Sequence, residues 1–82
     1  MLRKMTEEKI LKKIIKIVKR SIGVKKVPEE NLIELLGISS LKVFEMYFKF
    51  EQKFKICFEE NEIKMENLNN LHNLAKLILT KI

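Results

Sequence analysis

The scarcity of chain-breaking residues restricts this chain to a few long structural elements. Its 82 residues include two glycines and one proline, whereas a fold of many short strands needs turn residues between successive strands. Apolar residues make up 46% of the chain, enough for one small hydrophobic core. The composition therefore predicts an all-α fold, a small bundle of three to four helices in a single domain over residues 1–82.

Helical periodicity is clearest near the N-terminus. Thr6 is a candidate N-cap with two glutamates in the following turn, and Gly23 follows the last apolar position. At about 100° per residue, the apolar and basic side chains fall on opposite arcs. These arcs predict a first helix over residues 6–21. The apolar arc holds Ile10, Leu11, Ile14, Ile15, Ile17, Val18 and Ile22, and the basic arc holds Lys12, Lys13, Lys16, Lys19 and Arg20.

Pro28 interrupts this period, because proline cannot continue a helix. A long loop is predicted between the first two helices, ending at Ser39. The remaining predicted elements are a turn of helix within that loop at 32–36, a second helix from Ser39 or Ser40 to about Phe54, a short helix at 60–65 and a last helix at 67–81. The last helix is expected to bury Leu68, Leu71, Leu74, Ala75 and Ile78. Core positions across the bundle would be Ile14, Val18, Val43, Tyr47, Phe54, Leu71 and Leu74.

The second helix carries more apolar surface than a small bundle can cover. Its apolar arc includes Leu41, Val43, Phe44, Met46, Tyr47, Phe48, Phe50 and Phe54, with Glu51 inside it. A helix packed on one side buries a narrower stripe than this. We therefore expect the side formed by Leu41, Phe44 and Phe48 around Glu51 to be exposed. An exposed apolar stripe of this kind typically marks a protein contact.

The segment "LGISSL", residues 36–41, places two serines at the start of the second helix. In the simplest interpretation Ser39 is the N-cap, and Ser40 is an ordinary first helical residue. A second interpretation gives Ser40 a chemical role. The surrounding sequence bears on this choice, because Glu45, Glu51 and Phe54 follow Ser40 at intervals of five, eleven and fourteen residues.

The motif and these intervals resemble the acyl carrier protein family, whose attachment site usually reads L-G-x-D-S-L. The closing "MENLNNLHNLAKLI" is similar to the family's last segment, and the resemblance spans roughly residues 6–80. It implies a carrier rather than an enzyme. Ser40 would bear 4′-phosphopantetheine, attached from coenzyme A by a phosphopantetheinyl transferase. The thiol of that arm would hold acyl groups as thioesters for enzymes of fatty acid, polyketide or related biosynthesis.

The resemblance also implies a partner surface and a set of partners. The surface would comprise Ser39, Leu41, Phe44, Glu45, Phe48 and Glu51. The partners would be the transferase and acyltransferase, ketosynthase or acyl-activating ligase enzymes, with the carrier itself a monomer. The sequence departs from the family at Ser39, where Asp is usual, and at Lys42, Lys49 and Lys53 on a helix that is usually acidic. Since charge complementarity sets partner choice, we expect partners with a less basic surface.

Positive charge is concentrated at the N-terminal end. Residues 1–26 hold ten Lys or Arg against two Glu, a net +8, whereas residues 27–82 hold seven Lys against nine Glu, a net −2. The alternative function is therefore a basic helical docking module without the prosthetic group, which binds nucleic acid, an anionic membrane surface or a partner protein. No aromatic residue stands among these lysines for base stacking, which disfavours nucleic acid.

The other reactive side chains form no catalytic or metal-binding pattern. Cys57 is the only cysteine, so no internal disulfide can form, which fits a reducing, cytoplasmic location. We expect it in the core or at its edge. His72 is the only histidine and is expected to face solvent, with no metal bound. The sequence shows neither a signal peptide nor an apolar run of about 18 residues.

Overall fold

The computed structural model describes residues 5–82, which form an all-helical bundle and confirm the predicted fold class. This range contains no strand, apart from one isolated antiparallel bridge between Glu30 and Asn70. Three longer helices are joined by short helical segments. In chain order the elements are α1 (Glu7–Ile22), α2 (Leu32–Leu36), α3 (Ser40–Phe54), a 3₁₀ turn (Glu60–Glu62), α4 (Met65–Leu68) and α5 (Leu71–Leu79).

The predicted bounds of α1 agree with the structure to within one residue. The Thr6 hydroxyl accepts a hydrogen bond from the Lys9 amide at 3.2 Å, which satisfies one free donor of the first turn. At the other end Gly23 adopts a left-handed conformation with φ of 79°, and its N–H donates to the Lys19 carbonyl. Glycine reaches this conformation without steric cost, so the helix stops there.

The core lies where α1 packs against α5 and α3. The predicted core positions are all buried, which confirms that part of the sequence analysis. Tyr47 is the centre of an aromatic group, because its ring makes edge-on contacts with Phe50 and Phe58 at centroid distances of 6.0 and 5.0 Å. The confirmed positions are Ile14, Val18, Val43, Tyr47, Phe54, Leu71 and Leu74.

The last predicted helix is wrong in one respect, because it is broken between α4 and α5. The amide of Leu71 donates to the Glu29 carbonyl at 2.9 Å, and the Asn69 carbonyl accepts from the Asn31 amide at 2.7 Å. The Asn69 side chain also accepts from the Ile33 amide at 2.9 Å. These bonds satisfy the Glu29 carbonyl and the amides of Asn31 and Ile33, and they hold α2 next to the break between α4 and α5. The predicted buried face of Leu68, Leu71, Leu74, Ala75 and Ile78 is nevertheless confirmed.

The segment after α3 also differs from expectation at two places. The short helix predicted at 60–65 is a 3₁₀ turn over Glu60–Glu62, closed by reciprocal bonds between Glu59 and Glu62. Cys57 is exposed rather than in the core, because the extended chain alternates and turns Ile56 and Phe58 inward instead.

Candidate functional site

The candidate site is the start of α3, where the chain turns sharply from α2. Gly37 ends α2 in a left-handed conformation with φ of 62°. Ile38 is then buried, and its amide donates to the Ile33 carbonyl at 3.1 Å. One glycine for the turn and one buried apolar anchor therefore fix the position of the serine pair.

The two serines have different roles in the local structure. Ser39 has extended backbone angles, and its hydroxyl accepts a hydrogen bond from the Lys42 amide at 3.2 Å. Its carbonyl accepts from the Val43 amide at 3.0 Å. Ser40 is the first residue of α3 and is exposed. The predicted N-cap at Ser39 is thus confirmed, and within residues 5–82 no hydrogen bond engages the Ser40 hydroxyl.

The electrostatic surroundings of Ser40 suit a negatively charged substituent. The positive end of the α3 dipole lies at this residue, and the first turn carries no acidic side chain. A cavity of about 270 Å³ lies beside Ser39, with Ile22, Leu36 and Ile38 in its wall. A phosphodiester on Ser40 would fit this position, next to a concave and partly apolar surface.

Three large apolar side chains of α3 face solvent, as the width of its apolar arc predicted. The exposed fractions are 71% for Leu41, 58% for Phe44 and 59% for Phe48. We call these three residues the α3 stripe. Glu45 lies beside it, and its carboxylate forms an exposed ion pair with Lys42 at 3.0 Å. The exposure of the stripe is confirmed, and its role in partner binding stays a prediction.

Glu51 differs from the other predicted partner-binding residues, because it is half-buried and already occupied. One oxygen of its carboxylate accepts a hydrogen bond from the Phe58 amide at 2.8 Å. This bond spans the end of α3, where Lys55 takes a left-handed conformation with φ of 56°. Sequence reasoning missed this contact. The sequence held a weak signal for it. The helix dipole disfavours an acidic residue near the C-terminal end of a helix, so a compensating contact is expected for Glu51.

Tyr47 fixes the buried face of α3 to the segment before α4. Its hydroxyl donates to the Lys64 carbonyl at 2.7 Å. Burial raises the pKa of Tyr47 to about 12, because the phenolate would lose its hydration. The site is therefore carried on a helix whose opposite face is held by packing and by a hydrogen bond.

Three further observations bear on the class of site. His72 is exposed as predicted, and its Nε2 lies 2.6 Å from a carboxylate oxygen of Glu29. Within residues 5–82, no three His, Cys, Asp or Glu side chains are grouped as metal ligands. None of the helices described there is long and apolar enough to cross a membrane.

Comparison with known proteins supports a single family. No family model matches the sequence, and no solved structure matches it significantly. The chain is 30% identical over 80 residues to the acyl carrier protein of Cyanidium caldarium, an alignment that covers 94% of this chain and 91% of that protein. Nearly the whole length of both chains is thus aligned. The expected family is borne out by this overall identity, and the chain belongs to the acyl carrier protein family.

Proposed function

We propose that this protein is an acyl carrier in which Ser40 bears 4′-phosphopantetheine. A phosphopantetheinyl transferase would join the Ser40 oxygen to the phosphate of the arm, and the nucleotide part of coenzyme A would leave. The terminal thiol of the arm supplies a thioester linkage for acyl groups. The chain would act as one carrier domain over residues 1–82, without catalytic activity of its own, for enzymes of fatty acid, polyketide or related biosynthesis.

The division of work between the two serines is the observation that supports this proposal most strongly. Ser39 uses its hydroxyl to cap α3, while the Ser40 hydroxyl is exposed at the positive end of the same helix. A modified Ser40 would therefore leave the cap intact. The anchored turn at Gly37 and Ile38 would hold the attachment point in a constant position on the surface.

Docking of partner enzymes is proposed to use the α3 stripe together with Ser39 and Glu45. The stripe begins at Leu41, next to Ser40, so a partner seated on it would have the arm close to its own active site. A few large side chains buried at the centre of an interface contribute most of its affinity, and the charges around them select the partner. Acyltransferase, ketosynthase and acyl-activating ligase enzymes are the partner classes proposed for this surface.

Glu51 has a smaller part in this proposal than the sequence implied. Its carboxylate holds the Phe58 amide, so a basic partner side chain would compete with an internal hydrogen bond. We propose that Glu51 contributes to docking through its second oxygen only, and that its larger effect is on the chain segment that follows α3.

Intact-mass spectrometry tests the attachment. The protein is incubated with coenzyme A and a transferase of broad specificity. The proposal expects a gain equal to one phosphopantetheine group, which is absent in Ser40→Ala and retained in Ser39→Ala. The pair is a matched control, because the two variants remove neighbouring hydroxyls from the same turn.

A gain that survives Ser40→Ala would move the attachment to another residue. No gain with several transferases, on a protein that is folded by circular dichroism, would instead favour the alternative. That alternative is a basic docking module without the prosthetic group, which binds nucleic acid, an anionic membrane surface or a partner protein.

A further inference from the structure

A strongly basic groove lies between α1 and α3, away from the serine pair. Its volume is about 370 Å³. The residues around it are six cations, one amide and one apolar side chain, with no acidic residue among them. We call this surface the basic groove, and it is lined by Lys12, Lys13, Lys16, Ile17, Arg20, Lys49, Gln52 and Lys53.

The cations of the basic groove have no acidic partner within residues 5–82. The ion pairs in that range involve Lys42, His72 and Lys81 instead. Lys49 donates to the Ser21 hydroxyl at 3.1 Å, which fixes its position without neutralising its charge. Six like charges around one concavity repel one another and together give this surface a strongly positive potential. The groove is therefore arranged to bind a group with several negative charges.

The shape and composition of the groove discriminate among polyanions. No aromatic side chain lines it, so nucleobases would find no stacking surface. A bilayer is flat, and it would contact the rim of a groove between two helices rather than its interior. Extended or helical polypeptide fits better, because carboxylate side chains can enter the groove and meet Arg20 and the lysines, while Ile17 offers an apolar contact.

The groove also adjoins the α3 stripe. Gln52 lines the groove and stands one helical turn after Phe48, on the same side of α3. We propose that the basic groove receives an acidic segment of the partner enzyme that docks on the α3 stripe. This inference rests on the proposed function, and it gives the partner a definite chemistry: an apolar patch for the stripe, bordered by Asp and Glu residues on the α1 side.

The test uses a twelve-residue oligoglutamate peptide as the probe. The protein carries Ser40→Ala, so that binding is measured without the prosthetic group. At low salt we expect the peptide to shift the amide resonances of residues 12–20 of α1 and 49–53 of α3. We expect the double variant Lys16→Glu/Lys53→Glu to weaken binding at least tenfold.

The matched control is Lys25→Glu/Lys26→Glu, which makes the same change in net charge on exposed loop lysines outside the groove. It should weaken binding less than threefold. Equal losses in the two double variants, or resonance shifts outside the groove, would overturn the proposal. All three proteins are first compared by circular dichroism, because only folded variants enter the comparison.

Two other probes separate the remaining polyanions. A twelve-nucleotide oligothymidylate and vesicles containing phosphatidylserine are measured under the same salt conditions. Tighter, groove-dependent binding of either one than of the peptide would refute an acidic protein partner. The two failures are distinguishable: loading without groove binding refutes this inference alone, whereas groove binding without loading refutes the carrier function and leaves the groove as a site for acidic polypeptide of another kind of partner.

Discussion

The two faces of α3 are both rich in large apolar side chains, but only one of them is covered. Phe50 is fully buried, whereas Phe48, two residues earlier, remains 59% exposed. Local propensity cannot distinguish these two phenylalanines, since they share a helix and a residue type. The difference shows that burial in this small domain is limited by the area that α1 and the segment after α3 can cover, and that the uncovered face is available for another molecule.

The largest expected difference between the two faces is in stability. Phe50→Ala should lower the free energy of unfolding by about 3–5 kcal/mol, because it leaves a cavity beside Tyr47. Phe48→Ala should change it by less than about 0.5 kcal/mol, as for other exposed sites. Urea unfolding followed by circular dichroism measures both values.

Phe50→Leu keeps this prediction testable if the alanine variant does not fold. Leucine keeps most of the side-chain volume, so Phe50→Leu should lower the free energy of unfolding by less than about 1.5 kcal/mol. Similar losses for Phe48→Ala and Phe50→Ala would contradict the contrast between the two faces.

Tyr47 sharpens the comparison through its pH dependence. Tyr47→Phe should lower the free energy of unfolding by about 1–2 kcal/mol at pH 7, because the Lys64 carbonyl loses its donor. Since the pKa of Tyr47 is raised from 10.0 to about 12 in the folded protein, its stabilising effect is complete below pH 10.0. That effect declines as the pH approaches about 12.

The advantage of the original protein over Tyr47→Phe should therefore narrow by up to about 2 kcal/mol across this alkaline range. Denaturant unfolding of both proteins at matched pH values measures the difference and cancels the titration of the lysines. A gap that stays constant from neutral to alkaline pH would show that the phenol is not held in its neutral form.

The exposed face should matter for docking rather than for folding. The double variant Phe44→Ala/Phe48→Ala should lower kcat/KM for phosphopantetheine loading roughly tenfold, equivalent to about 1.4 kcal/mol. Leu79→Ala on α5 is the control, since Leu79 is another exposed apolar residue of the bundle. Unchanged loading in the double variant would remove the transferase from the partners assigned to this stripe.

The serine pair extends the same contrast to the start of the helix. Ser39→Ala should lower the free energy of unfolding by about 1 kcal/mol, since the Lys42 amide loses its acceptor. Ser40→Ala should be close to neutral, because its hydroxyl bonds to nothing within residues 5–82. Thermal unfolding of the two variants distinguishes them. A larger loss of stability in Ser40→Ala than in Ser39→Ala would contradict the assignment of Ser39 as the N-cap.

Much of this fold can be predicted from local sequence. The bounds of α1 follow from Thr6 and Gly23, and the start of α3 follows from Ser39. The predicted core positions follow from helical periodicity, because they repeat at the intervals that one face of a helix requires. Periodicity did not predict the buried residues that lie outside the helices, which are Ile38, Ile56 and Phe58. The width of the apolar arc of α3 alone also predicts the exposure of the α3 stripe.

The features that were missed depend on contacts between distant parts of the chain. At the break between α4 and α5, Asn69 accepts hydrogen bonds from Asn31 and Ile33, and the Leu71 amide donates to Glu29. These partners lie about forty residues earlier in the chain, so no local pattern predicts the contact. The bond between Glu51 and the Phe58 amide likewise depends on the left-handed conformation of Lys55. The sequence does not predict this turn, because the residue there is not glycine. The basic groove forms only when α1 packs against α3. The sequence shows the basic residues of each helix, but it does not show that they face one cavity.

The outward side chain of Cys57 has a practical consequence for following the proposed chemistry. The unmodified chain has one accessible thiol. Attachment of the arm would raise the number to two, and acylation would return it to one. A colorimetric thiol titration would thus report the occupancy of the carrier without a labelled substrate. In Cys57→Ser the chain has no thiol of its own, so the titration would count the thiol of the arm alone.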